Sequence, residues 1–228
     1  LEAAGGALLY WNHLDKEKQH LEQFTEVLNT AYKSSLNMYG LAMDTLYTET
    51  INRPEVLKIF AAGLASTGEA RDQQRAKLLE LLGPSYEAMK TRNVRQLHFH
   101  FPDGTSFLRF HQINKFGDRL FDSRPSVRIA NTEKRVVAGF ETGRVVAGFR
   151  YVYPVNLDGQ HIGSVESSVT FSAIRAAVAD AAPNREYNFI VLRSAVGTKL
   201  FTGQEKLYDT AGLSSDFVVE DPEQKLPN

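Results

Sequence analysis

The residues best equipped for chemistry lie where polar and apolar side chains alternate. In Leu97-His98-Phe99-His100-Phe101 every second residue is an imidazole, and beyond Pro102-Asp103-Gly104 the run Phe107-Leu108-Arg109-Phe110-His111 alternates again. A period of two sends successive side chains to opposite faces of a strand, and Asp-Gly between two such runs is a hairpin turn. With Asp103-Gly104 as the loop, His98 opposes Arg109, His100 opposes Phe107 and Phe101 opposes Ser106. One face then carries Leu97, Phe99, Phe101, Leu108 and Phe110 and belongs on a core, under the long amino-terminal helix. The other carries His98, His100, Arg109 and His111, a cationic or proton-binding surface unlike a merely solvated one.

A second pair of strands, Phe149 to Val155 and Ile162 to Phe171, surrounds Asn156-Leu157-Asp158-Gly159. With Asp158-Gly159 as the turn, Tyr153 opposes Ser164, Tyr151 opposes Glu166 and Val152 opposes Val165. Arg150 then falls on the apolar Val152 face, which suggests a bulge there. Guanidiniums at Arg109 and Arg144, joined by Arg124 and Arg150, are planar five-donor forks suited to a carboxylate. Imidazoles at His98, His100 and His111 add donors that charge near an anion, and Tyr151 and Tyr153 add hydroxyls on rigid rings. Glu166, the lone acid on the inferred face, orients an arginine or accepts the ammonium of an amino acid. Competing structural roles stay open: Arg109 paired with Glu166 or Asp118, Arg144 held by Glu141, and both tyrosines in a core.

His98-x-His100 also has the spacing of a strand chelate for zinc, iron or nickel, with His111 and Glu166 as further ligands. Arg109 beside it repels a divalent ion, so no metal is assigned. Gly-x-Ser-x-Gly, the phosphate-binding Gly-x-x-x-x-Gly-Lys and His-Glu-x-x-His are all missing, so neither catalysis nor a cofactor is expected.

The positioning elements divide the chain in three. Residues 1–93 read as helical: Leu14, Leu21 and Leu28 recur every seven residues, with Phe24, Ala31 and Met38 three further on in the same seam. That stripe suits a helix laid on a sheet, and equally one that pairs with a second copy. Shorter helices are expected at 54–65 and 69–82, ending near Gly83-Pro84, with another turn through Arg92. Residues 94–182 carry the strands and a helix from Phe171 to about Ala182. Within them Arg135-Val136-Val137-Ala138-Gly139-Phe140 repeats as Arg144-Val145-Val146-Ala147-Gly148-Phe149, which reads as a hairpin. Residues 183–228 form a smaller module with strands at Asn188 to Arg193 and Lys199-Leu200-Phe201 and a polar tail from Glu220. The plan is α+β.

Composition narrows the function. The chain has 228 residues, 43% apolar, with 26 Lys and Arg against 27 Asp and Glu, a net charge of −1 that argues against nucleic acid as a partner. No run approaches the roughly 18 apolar residues of a membrane span. A start at Leu1-Glu2-Ala3-Ala4, without an initiator Met, is expected of a piece of something larger. Cysteine is absent, which removes disulfides and thiolate chemistry.

Four blocks together resemble the double Cache sensor domains of bacterial transmembrane receptors. They are Leu97 to Arg109, Arg124-Pro125, Gly139-Phe140-Glu141-Thr142-Gly143-Arg144, and Tyr153-Pro154-Val155 leading into Ile162-Gly163-Ser164-Val165-Glu166, in the family's order. The resemblance implies a PAS-like antiparallel sheet against a long amino-terminal helix, with a smaller second α/β module. It also implies a small-molecule ligand, a carboxylate or amino acid, between the other face of the sheet and covering loops at 112–150. The setting would be periplasmic or extracellular, anchored by flanking spans, feeding a chemotaxis transducer, histidine kinase or diguanylate cyclase, with a homodimer through the long helix. Two departures stand out: Val145-Val146 replace glycines common in relatives, and the second module ends early, as expected of a chain cut ahead of a membrane span.

Overall fold

The computed structural model describes residues 2–142, 148–183, 187–197, 208–212 and 214–220. Helix α1 (Glu2–Leu46) runs into a π-helical turn at Tyr47–Ile51, followed by α2 (Pro54–Ala65) and α3 (Gly68–Lys90). Strands β1 (Val94–His100) and β2 (Ser106–Arg109) lead to α4 (Pro125–Thr132), then β3 (Val137–Glu141), β4 (Gly148–Leu157), β5 (Gln160–Thr170) and α5 (Phe171–Ala181). The last unit holds β6 (Ile190–Leu192), α6 (Arg193–Gly197), β7 (Tyr208–Thr210) and β8 (Phe217–Glu220). An antiparallel sheet of five strands has the order β2-β1-β5-β4-β3, and a smaller sheet has the order β6-β8-β7. Lys199-Leu200-Phe201 and most of the tail from Glu220 lie outside the described residues.

The apolar face of β1 and β2 packs beneath α2 and α3 rather than beneath α1. Phe60 of α2 meets Phe99, Phe101 and Phe107 at ring distances of 5.2, 5.7 and 5.5 Å. Helix α1 instead covers β4: Tyr153 Oη donates to Asp44 Oδ1 (2.6 Å), Tyr47 stacks on the Tyr153 ring at 4.5 Å, and Tyr47 Oη donates to the Pro154 carbonyl. The buried stripe of α1 is Ala31, Ser35, Tyr39 and Met43, and Met38 is left outside it. A straight helix drifts about 20° per heptad from a seven-residue repeat, so a seam begun at Leu14 has turned away by Met38.

Helix α3 continues through Gly83-Pro84, where the sequence suggests a stop. Leu78 and Leu82 lie buried before the proline and Tyr86 and Met89 after it, and Tyr86 Oη donates to the Arg95 carbonyl (2.7 Å). That continuous burial outweighs the one amide and the local clash a proline costs, about 3 kcal/mol.

Both long hairpins turn where the Asp-Gly pairs lie, and both contain a bulge. In the first, His98 opposes Arg109 and Phe99 opposes Leu108, but His100 opposes Ser106 instead of Phe107. The extra residue, Phe107, turns its ring fully into the core. In the second, Leu157 opposes Gln160 and Asn156 opposes His161, and then Val155 opposes Gly163. Ile162 is the inserted residue. Gly163 adopts φ +143°, and a Cβ there would stand 2.1 Å from the His100 carbonyl oxygen, so only glycine fits.

Candidate functional site

The second bulge decides which side chains of β4 meet the polar face. Beyond it Tyr153 pairs with Val165, Val152 with Glu166, Tyr151 with Ser167 and Arg150 with Ser168, one residue away from the register expected from the turn alone. A shift of one residue exchanges the two faces of a strand. Arg150 therefore joins Glu166, while Tyr151 and Tyr153 turn to α1 and leave the site. This corrects the expectation that their hydroxyls face a ligand.

One sheet face thus gathers Gln96, His98 and His100 from β1, Arg109 from β2, Arg150 from β4, and Ser164, Glu166 and Ser168 from β5. Helix α4 covers it. Pro125 starts that helix with its φ preset for the first turn, and Val127 and Ala130 pack on Val152. Arg124 precedes the helix, and Glu141 at the end of β3 meets its first turn. His100, Glu166 and Arg150 are at most 2% exposed, deeper than charged groups normally lie without partners.

Partners are present for each charge. Arg109 forms a two-pronged pair with Asp118, Nη1 to Oδ1 at 2.7 Å and Nη2 to Oδ2 at 2.9 Å. Arg150 Nη1 donates to Glu166 Oε1 and to Gln96 Oε1, and Ser168 Oγ donates to the same Gln96 oxygen. Arg124 Nη1 lies 3.5 Å from Glu141 Oε1, and Arg150 Nε lies 3.7 Å from that oxygen. His98 Nε2 shares a hydrogen bond with Ser106 Oγ (2.8 Å), and His100 Nδ1 shares one with Ser164 Oγ (3.1 Å). Asn131 Nδ2 donates to Ser164 Oγ, and Asn131 Oδ1 faces His161 Nε2, which links a histidine with no evident place in the sequence pattern to the network. His111 sits at the margin, Nε2 3.4 Å from Gln96 Nε2, where it lines clefts of about 750 and 510 Å³ beside α3.

Burial is the main electrostatic force here, and it keeps the imidazoles neutral. His98 is held well below the ordinary 6.5 by burial and then by neighbouring His100 and Arg109. Burial takes His100 down to about 3 although Glu166 pulls the other way, and His111 down to about 4 on the same terms. Glu166 is lowered to about 2, because the attraction of Arg150, Arg124 and His100 overcomes the opposing effect of its own burial. Arg124 is lowered to about 10 by burial and by Arg150.

Ligand atoms of His98, His100 and Glu166 all lie within 4.8 Å of one another, close enough to share a single metal ion. Glu166 is already engaged by Arg150, and Arg109 and Arg124 stand close enough to lower the imidazoles, so the field opposes a cation. The face is rich in guanidinium and imidazole groups, a donor set whose chemistry suits an anionic or zwitterionic ligand. Arg144 lies outside the described residues. Reading the sequence misses Gln96, Ser126, Asn131 and Glu141 as parts of this site. The Ser164-x-Glu166-x-Ser168 alternation was the available signal for the two serines, whereas Ser126 and Asn131 arrive only when α4 folds over the sheet.

The profile of the family described as a double sensory domain of two-component sensor kinase, dCache_3, matches residues 32–202. No curated protein matches the sequence. The sensory domain of the Campylobacter jejuni chemoreceptor Tlp3, solved with isoleucine bound, is similar at TM-score 0.52 and 13% identity, over 78% of this chain and 69% of that one. A domain of a sensory box/GGDEF family protein from Vibrio parahaemolyticus is similar at TM-score 0.51 and 13% identity, over 91% of this chain and 96% of the other. The sensor domain of the V. cholerae histidine kinase DctB gives TM-score 0.47 and 17% identity over 74% of this chain, which spans 64% of the DctB domain. A profile match running from the middle of α1 past α5 and the five-stranded sheet places this chain in the double Cache family of sensor domains.

Proposed function

We propose that this chain is the extracytoplasmic sensing part of a membrane-anchored bacterial receptor, of chemotaxis, histidine kinase or diguanylate cyclase type. It takes a small carboxylate or amino acid on the polar face beneath α4. Residues 94–182 form the ligand module and 183–228 a smaller membrane-proximal one. One observation carries the reading: two guanidiniums, Arg109 and Arg150, and two neutral imidazoles, His98 and His100, are buried on one side of a sheet, with Arg124 and His111 half-buried at its margin, and the other side of that sheet is tied to α1. Such a sheet has a ligand at one face and a stem at the other. A ligand binding the two positions of the sheet unequally shifts their populations by the difference in affinity, and Tyr153, three residues from Arg150 on the same strand, passes the change to Asp44 of α1. The fold it shares with the isoleucine-bound Tlp3 domain supports the reading. Ser106 and Ser164 do hydrogen-bond His98 and His100, but all four side chains are buried within the network, and no catalytic step is proposed for them.

Thermal unfolding of the purified chain against the twenty amino acids, short mono- and dicarboxylates, and matched amines without a carboxylate tests this. At a hundredfold excess over Kd, at least one carboxylate raises the midpoint by about 5 °C or more, and the matched amine does not. A panel without any response overturns the proposal and favours a ligand-free dimerisation module.

A further inference from the structure

Glu141 is the most telling side chain of the site. Its Oε2 accepts the backbone N–H of Ser126 in the first turn of α4 at 2.9 Å, and its Oε1 lies 3.5 Å from Arg124 Nη1 and 3.7 Å from Arg150 Nε. A helix N-terminus with an inward amide and two guanidiniums is a complete receptor for a carboxylate, and here a carboxylate of the chain itself sits in it. Among the described residues, two buried polar atoms of this face have no hydrogen-bond partner: Ser126 Oγ, in the same first turn, and His100 Nε2, 3.9 Å from the Glu166 Oε2 of the carboxylate that Arg150 also holds. Buried polar atoms are nearly always satisfied, so these two leave hydrogen-bonding capacity on this face that Glu141 does not use.

We infer that the first turn of α4, Arg124 and Arg150 form the seat for the ligand's carboxylate, and that Glu141 is a tethered competitor occupying it until the ligand displaces it. The inference rests on the reading of this face as the ligand site and names the group that regulates it. Its physical logic is charge balance. Arg124, largely enclosed, would be destabilising without an anion; Glu141 supplies that anion without ligand, and exchange of one carboxylate for another leaves the balance unchanged. Apparent affinity is then reduced by the fraction of molecules whose seat Glu141 holds. Displacement also releases the last residue of edge strand β3 from α4, so occupancy is felt on two elements at once.

Glu141→Ala empties the seat and Glu141→Gln keeps an acceptor for the Ser126 amide without the charge, which guards against a variant that fails to fold. Sodium acetate, compared with sodium chloride at equal ionic strength, is the probe. Acetate should raise the unfolding midpoint of both variants saturably, leave wild type flat, and lose its effect when Arg124→Gln is added. For a carboxylate found in the panel above, Glu141→Gln should tighten binding about tenfold. Wild type and variants responding alike to acetate, or a panel ligand bound no more tightly by Glu141→Gln, overturns the inference while leaving the sensor reading intact. Acetate rescue of the variants with no wild-type response to any panel compound upholds the seat and removes the sensor reading instead.

Discussion

His98, His100 and His111 give the molecule its acid sensitivity. Each is neutral in the fold and has ordinary basicity once unfolded, so unfolding takes up protons. Their contribution is complete above about pH 6.5, the unfolded value, and is lost as pH falls toward about 4 for His111 and about 3 for His100. Glu166 acts in the same direction lower down: held at about 2, it contributes above its ordinary 4.5 and loses that contribution as pH falls toward 2. Unfolding free energies from urea titrations at pH 7, 6 and 5 should therefore decline, by roughly 1 kcal/mol per pH unit for each imidazole held neutral. His111→Gln should remove one imidazole's share of the slope. A profile flat over this range would show that the imidazoles are not held neutral. At this scale the sequence was a good guide to composition: alternation put His98, His100 and Arg109 on one face, and the structure keeps them there. It was a poor guide to Glu141, because a carboxylate at a strand end meets a helix start only through tertiary packing.

Among elements, the two bulges separate what was readable from what was not. Turn positions follow from Asp-Gly chemistry and are local, and so were the helix starts at Pro54 and near Phe171. Bulges are not local. Ile162 is inserted because Gly163 lets β5 pass directly beside the His100 carbonyl and the Phe60 ring, a contact between segments about sixty residues apart. That one insertion moved Arg150 into the site and took both tyrosines out. Arg150 on an otherwise apolar face was the visible trace of it. Gly163→Ala must move the backbone of β1 or β5, and should cost about 3 kcal/mol or more in urea unfolding, with loss of any ligand response. An alanine variant of wild-type stability would mean that the bulge does not depend on this glycine. Helix α3 illustrates the opposite error, a proline stop signal outvoted by burial on both sides.

The whole molecule is led by a 45-residue helix, about 70 Å long at 1.5 Å per residue. Tyr10, Trp11, Leu21 and Val27 on it are each more than half exposed, and the stripe that packs on the body begins near Leu28. We propose a second copy of the same helix as the partner of this exposed face, as the Leu14 and Leu21 spacing expects. Sedimentation of the purified chain should show a reversible dimer, and Leu21→Glu with Val27→Glu should weaken it about tenfold or more. A chain that stays monomeric at about 100 μM, in the micromolar range where weak pairs form, would leave that face without a role.

The pairing of three guanidiniums with three carboxylates, Arg109 with Asp118, Arg124 with Glu141 and Arg150 with Glu166, also governs how a ligand arrives. A cleft lined by unbalanced cations draws anions in by its field, and added salt slows them. Here each cation has a carboxylate partner, so little of the positive field felt by the buried imidazoles should extend to an approaching anion, and capture should proceed largely by unguided collision. Association rates measured by stopped flow should vary less than about twofold between 20 and 500 mM salt, a span over which the Debye length shrinks several-fold. A steep decline would reveal a cation exposed to the approaching molecule. For a receptor, such indifference keeps its reading of concentration the same in brackish and in fresh surroundings.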